Sequence, residues 1–249
     1  MKTEKIGKHK VVYYDAINEL PIVRYHIYNK MLLVDGGVGS DVTDFDNHLQ
    51  RVIGFIQADK KEDAIKELQN VRQNIYLIQN TISPKHLAFA ALITEIDGQP
   101  RGDISEEGLN ATIAIINDTP AEAVEDKLAE TKKKIETELQ TYFPSVFSDS
   151  AEKEFFDLLI KRTKTVLEGI ITKTDKKAEV DAITLEMLTF SRPHDFSTEK
   201  NVELAADKQF ERICIMLSEN LMCNPKAYTV LEFYSAFEYL KDKMKKLKN

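Results

Sequence analysis

Three groups of residues in this sequence have side chains that could do chemistry. The first is the glycine- and aspartate-rich stretch LLVDGGVGSD with the residues after it, the 35–48 segment. Backbone amides in a glycine turn ahead of a helix can hold an anion. A nucleotide loop also needs a lysine and a hydroxyl residue at its end, and that lysine is missing here. The segment before the glycines reads as helix, which excludes a dinucleotide fingerprint. Asp35, Asp41, Asp44 and Asp46 invite a calcium loop, but their spacing is not that of an EF-hand and the glycine is misplaced. Asp41 and Asp44 instead fall in a first helical turn, where negative charge is favoured. A helix stop followed by a helix start accounts for the whole segment.

The second group is the histidines His9, His26, His48, His86 and His194. No two have the three- or four-residue spacing that would clamp a metal on one helix. Convergence of His26 or His48 with Asp35, Asp41 or Asp44 would make an acid–base or metal pocket, and such a pocket is what a helical enzyme or nucleotide-binding factor predicts. The third group is Cys214 and Cys223. Cys214 sits between Ile213 and Ile215 on a helix, so it reads as a buried thiol in a reducing compartment. No serine lies in a Gly-x-Ser-x-Gly turn. The sequence therefore assigns no catalytic, cofactor-binding or metal-binding residue, and no cofactor is expected.

The elements that would carry these residues read almost entirely as helices. Phe45, Leu49, Ile53 and Ile56 recur at steps of four, four and three, and Ala64, Leu68, Val71, Ile75 and Ile78 follow in the same manner. Each set makes one stripe on a helix. Only Gln57 to Lys61 separates them, so 41–82 is expected to fold as an antiparallel hairpin around which the chain is organised. Ahead of it, Lys10 to Tyr14 is the one strand-like run, read as a short extended lead-in. Asn18 and Pro21 open a helix to about Val34. Ser83-Pro84 starts a further helix, KHLAFAALITEI, that reads as the most buried of the N-terminal half. Asp97 to Asp103 is turn-rich. Thr119-Pro120 starts a long charged helix with Glu122 placed for a capping box. Amphipathic helices follow over 151–174 and 199–221, with a further helix over 176–190 between them and SRPHDFST as a loop. Asn224-Pro225 marks the last start, and the final helix carries the stripe Phe233, Phe237, Leu240, Met244 and Leu247. That stripe either packs into the protein's own core or offers part of itself to a partner groove.

The fold expected is all-α, a bundle of about nine or ten helices with a short extended N-terminal segment. A break over Phe143 to Ser150 suggests lobes at 1–143 and 144–249, with a single continuous domain as the alternative. The 249 residues are 43% hydrophobic, enough for a sizeable core, and no apolar run approaches a membrane span. The first ten residues, MKTEKIGKHK, hold no apolar signal core, so secretion is not expected. Net charge is −7, yet residues 1–10 carry four lysines to one glutamate and residues 241–249 five lysines to one aspartate. The body between is strongly acidic, which argues against a broad nucleic-acid surface.

Two stretches carry a resemblance. NELPIVRYHIYNKMLLVDGGVGSDVTDFDNHLQRV, continuing into ELQNVRQNIYLI and SPKHLAFAALI, is one. AADKQFERICIMLSENLMCNPKAYTVLEFYSAFEYLKDK is the other. Both resemble helical proteins encoded by tailed bacteriophages of gut bacteria. The matching residues contain no chemistry, and no residue roles are carried over. The resemblance implies a phage structural or assembly setting. The expectation is a non-enzymatic phage protein that packs against other phage proteins. It would be a virion component of tail, neck or head, or a tail-assembly chaperone, in the bacterial host cytoplasm during assembly. Homo-oligomerisation stays open. The alternatives are the enzyme using the 35–48 loop and a host-takeover protein that binds a bacterial target.

Overall fold

A computed structural model describes residues 1–34, 42–79, 83–147, 150–188 and 201–246. Helices dominate: eleven α-helices, one 3-10 turn and four short strands lie among the described residues. The chain forms two compact units. One gathers Met1–Asp35, Thr81–Phe147 and Val202–Asn249; the other gathers Gly36–Asn80 and Ser148–Asn201. Each unit is assembled from separated stretches, whereas the sequence reading set consecutive lobes at 1–143 and 144–249.

The first unit begins with β1 (Lys2–Ile6) and β2 (His9–Tyr13). They pair antiparallel across a turn at Gly7, which takes φ +59°. A Cβ on Gly7 would meet the Thr119 hydroxyl at 2.5 Å, so glycine is required both for the turn and for the close approach. The extended N-terminal stretch is thus one strand of a sheet, in the order β1-β2-β3-β4, with β3 (Ile93–Ile96) and β4 (Gln99–Pro100) completing it. The β3–β4 turn is Asp97-Gly98, both at positive φ, as a tight hairpin demands. Ile6, Val11, Tyr13, Ile93 and Ile96 point inward from this sheet.

One sequence expectation is corrected here. The run KHLAFAALITEI is not a single helix. Its helix, α4 (Pro84–Leu92), ends where Ile93 turns to φ −72°, ψ 133°, and ITEI becomes β3. Periodicity does not separate a buried helix from a buried strand in an uninterrupted apolar run. The decisive signals are the β-branched Ile93 and Thr94 followed by the Asp97-Gly98 turn. The start of α4 is as expected: Ser83 caps it, its Oγ accepting from the His86 amide at 3.4 Å, with Pro84 at the first helical position.

Helix α1 (Ile22–Val34) packs on α4. At their junction Arg24 is buried, and its guanidinium donates to the carbonyls of Ala91 (2.9 Å), Ile93 (3.0 Å) and Arg101 (2.7 Å). It thereby ties α1 to the helix-to-strand corner and to the exit of β4. Burial lowers its pKa, and the Tyr14 ring lies 5.8 Å from the guanidinium carbon. Helix α5 (Glu106–Ile116) is capped by Ser105. Helix α6 (Ala121–Tyr142) buries the narrow stripe Val124, Leu128, Ile135 and Leu139. Its expected capping box is absent: Pro120 is the cap residue and makes no side-chain bond, while the Thr119 hydroxyl is buried against Gly7. The short α7 (Pro144–Phe147) follows.

Helices α10 (Val202–Leu221) and α11 (Val230–Lys246) close this unit. Asn224-Pro225 opens only a 3-10 turn, Pro225–Ala227. Helix α11 starts later, at a reciprocal capping box. The Thr229 hydroxyl accepts from the Glu232 amide at 3.3 Å, and the Glu232 carboxylate accepts from the Thr229 amide at 2.8 Å. The two ends of the unit are laced together. Ile22 N–H donates to Tyr228 (2.9 Å), Val230 N–H to Leu20 (2.8 Å) and Leu231 N–H to Ile17 (3.0 Å).

The second unit holds α2 (Val42–Gln57) and α3 (Lys61–Gln79), the expected hairpin, with α8 (Ser150–Thr172) and α9 (Lys177–Met187). Its small core is Val52, Phe55, Ala64 and Leu188, with Leu185 packed on it. The larger core lies in the other unit, so the 41–82 pair is not what most of the chain is organised around. The buried stripe on α2 is also shifted by one residue: Val52 and Phe55 are inside, while Ile53 and Ile56 face solvent. On α3, Ala64 and Val71 are buried as expected, but Leu68 and Ile75 are exposed. Gly54 helps set this register, because a Cβ there would stand 2.5 Å from Leu188 Cδ1.

Candidate functional site

The residues nominated for chemistry are placed as follows. Asp35, Asp41 and His194 lie outside the described residues, as does the side chain of Asp44 on α2. Asp46 is exposed on α2. His26, on α1, has its Nε2 2.7 Å from Asp207 of α10, and Lys30 reaches the same carboxylate at 3.2 Å. The His26 ring stacks on Phe210 at 4.2 Å. Burial works against the Asp207 charge, but hydrogen bonds from His26 and Lys30 hold its pKa below the usual value. His48, on α2, bonds instead to Glu67 of α3 at 2.5 Å, with Arg51 3.4 Å from the other carboxylate oxygen. His48 and Glu67 are buried. Both histidines thus have carboxylate partners that spacing did not reveal. Asp207 lies 181 residues from His26 and Glu67 lies 19 residues from His48.

A third histidine sits in a cluster with two carboxylates and a lysine. His9 Nδ1 lies 2.6 Å from Asp97, and its Nε2 lies 3.3 Å from Asp118. Lys8 forms an ion pair with Asp118, and the Lys10 amide donates to Asp97 at 2.8 Å. The hydrogen bond to Asp97 raises the His9 pKa above its ordinary value. The same bond lowers Asp97, and Lys8 lowers Asp118. The cluster fastens the start of β2 and the β3–β4 turn to the loop before α6. Among the described residues, no group of three or more His, Cys, Asp and Glu is arranged to hold a metal ion. Cys214 is a free buried thiol whose pKa is pushed up by burial, and Cys223 is free and half-buried. A raised thiol pKa suppresses the thiolate needed for nucleophilic or redox chemistry.

The remaining functional material is surface. Helix α8 exposes Ile160, Val166, Leu167, Ile170 and Ile171, with Ile170 68% and Ile171 78% accessible. Steps of seven and four put Ile160, Leu167 and Ile171 on one stripe, flanked by Ile170 and Val166. Thr165, on the opposite side, is buried. The sequence reading makes 151–174 amphipathic through Phe155, Phe156, Leu159, Val166, Ile170 and Ile171; of these Val166, Ile170 and Ile171 face solvent, and Ile160 and Leu167 join them.

The α11 stripe divides in two. Phe233 and Leu240 are buried in their own unit. Phe237 and Met244 open instead into a groove with Met216 of α10, of about 310 Å³, edged by Lys241 and Lys245. Leu247 lies outside the described residues. No helix among the described residues is long and apolar enough to cross a membrane. No protein family, curated protein or solved structure matches the chain.

Proposed function

We propose that this is a non-enzymatic phage protein that works by packing helical faces against other phage proteins. It serves as a virion component of tail, neck or head, or as a tail-assembly chaperone, in the host cytoplasm during assembly. The observation that carries the reading is the open apolar stripe of α8. Five large aliphatic side chains lie in water on one helix. Fully covering one such side chain is worth about 1.5–3 kcal/mol, so a partner helix laid along α8 has a substantial driving force. The phage setting itself rests on the sequence resemblance.

Two measurements test the proposal. The first is mass spectrometry of purified particles: a component is present in fixed copy number, and a chaperone is absent from particles but abundant in infected cells. The second compares wild type with the Leu167→Glu/Ile171→Glu double variant. Both residues are solvent-exposed, so the variant is expected to fold and to lose co-purification with phage proteins. Unchanged phage yield and unchanged co-purification in the variant would sink the reading.

A further inference from the structure

The groove between α10 and α11 differs from the α8 stripe in shape and charge. Its lining is Met216, Phe237, Leu240, Lys241, Met244 and Lys245, with no carboxylate. Two methionines and a phenylalanine give an adaptable apolar floor. Lys241 and Lys245 stand one helical turn apart along its edge and, among the described residues, neither forms an ion pair. Lys243 and Lys246 add charge in the same last turn of α11. A trough with an apolar floor and a cationic edge fits one side of an amphipathic helix whose flanking positions are acidic.

We infer that this groove docks an acidic amphipathic helix supplied by a partner protein. The inference rests on the reading of this protein as a protein-binding one, but at a surface separate from α8, so the two can fail independently. A second copy of the chain fits less well. Its exposed α8 stripe is interspersed with Lys161 and Lys164, which would meet Lys241 and Lys245 as like charges. A lipid surface fits less well too, because the apolar floor is recessed between two helices, where a convex helix reaches and a flat bilayer does not.

The test uses the full chain and two fluorescent helical peptides, each about three turns long, with leucines at helical spacing. One carries glutamates at the flanking positions and the other carries lysines there. The acidic peptide should bind, weakening as salt is raised. The Lys241→Glu/Lys245→Glu variant should bind it about tenfold or more weakly and now prefer the basic peptide, and Met244→Glu should weaken it similarly. Circular dichroism identifies any variant that has unfolded, and these positions lie on the partly or fully exposed last turns. Equal binding of both peptides overturns the inference, as does no binding or binding that the substitutions leave unchanged. Two other outcomes also overturn it. Phosphatidylglycerol vesicles captured through these same residues, with no peptide binding, would assign the groove to a membrane. Self-association in the ultracentrifuge that the same substitutions abolish would assign it to a second copy.

Discussion

His9 Nδ1 lies 2.6 Å from Asp97 Oδ2, and this contact joins the start of β2 to the β3–β4 turn across 88 residues of chain. The direction of its pH dependence follows from the shifts. The pKa of His9 is raised above 6.5, so its contribution to stability is complete below that value and is lost as pH rises through the raised pKa. Asp97 and Asp118 are lowered below 3.8, so their contribution is complete above that value and is lost as pH falls through the lowered pKa values. The cluster therefore stabilises most between these limits. In thermal melts, His9→Gln should fall furthest below wild type between the lowered carboxylate pKa values and 6.5, and converge toward it as pH rises through the raised His9 pKa. An offset that stays constant with pH would contradict this.

Arg24 is the second test. Replacing it with methionine keeps much of the packing but leaves the carbonyls of Ala91, Ile93 and Arg101 without their donor. The expected loss, read from urea denaturation, is about 2–4 kcal/mol. Arg24→Lys should recover only part of it, since one ammonium cannot reach a set of carbonyls that a planar fork spans. Full recovery by lysine would mean that charge, and not geometry, matters at the corner.

A third prediction separates two registers of α2. Phe55 is wholly buried, while Ile56 is 60% exposed. Phe55→Ala should cost about 3–5 kcal/mol and Ile56→Ala less than about 0.5 kcal/mol. The sequence stripe through Ile53 and Ile56 predicts the opposite order, so two denaturation curves decide between them.

The fourth concerns the amides of Ile22, Val230 and Leu231, which bond to partners more than 200 residues away. In hydrogen exchange these three should open together and as slowly as the amides of α4, because they are released only when the α1–α11 clasp opens. Exchange of Val230 well ahead of the α4 amides would show that the clasp frays on its own.

Helix existence was legible because caps and prolines announce it, as at Ser83-Pro84. What each helix face meets was not. The period of α2 fits a stripe through Phe55 or Ile56 nearly as well, and the choice came from Gly54 admitting Leu188, a residue 134 positions later. ITEI reads as helix because its apolar run hides its period; the local signals against that are Ile93-Thr94 and the Asp97-Gly98 turn, and pairing with Val11–Tyr13 and with β4 makes it a strand. The cap Thr229-x-x-Glu232 was readable but was overshadowed by Asn224-Pro225. The partners of His26 and His48 were out of reach, since no local pattern ties His26 to Asp207 or His48 to Glu67. The last-helix stripe reads in sequence as either core or partner-facing; Phe233 and Leu240 are buried, while Phe237 and Met244 line a groove with Met216.

The clasp between Leu20 and Val230 also bears on how the chain is made. While a ribosome is still adding the middle of the protein, β1, β2 and α1 have no α11 to close against. At about 5–20 residues per second, roughly 10–40 seconds of translation separate the first half of this contact from the second. For that interval Ile17, Leu20 and Ile22, all nearly inaccessible in the finished fold, lack the α11 segment that their backbone is laced to. A nascent chain built this way invites a holding factor at its emerging end, and premature termination before Val230 should yield aggregates in place of a shorter folded product.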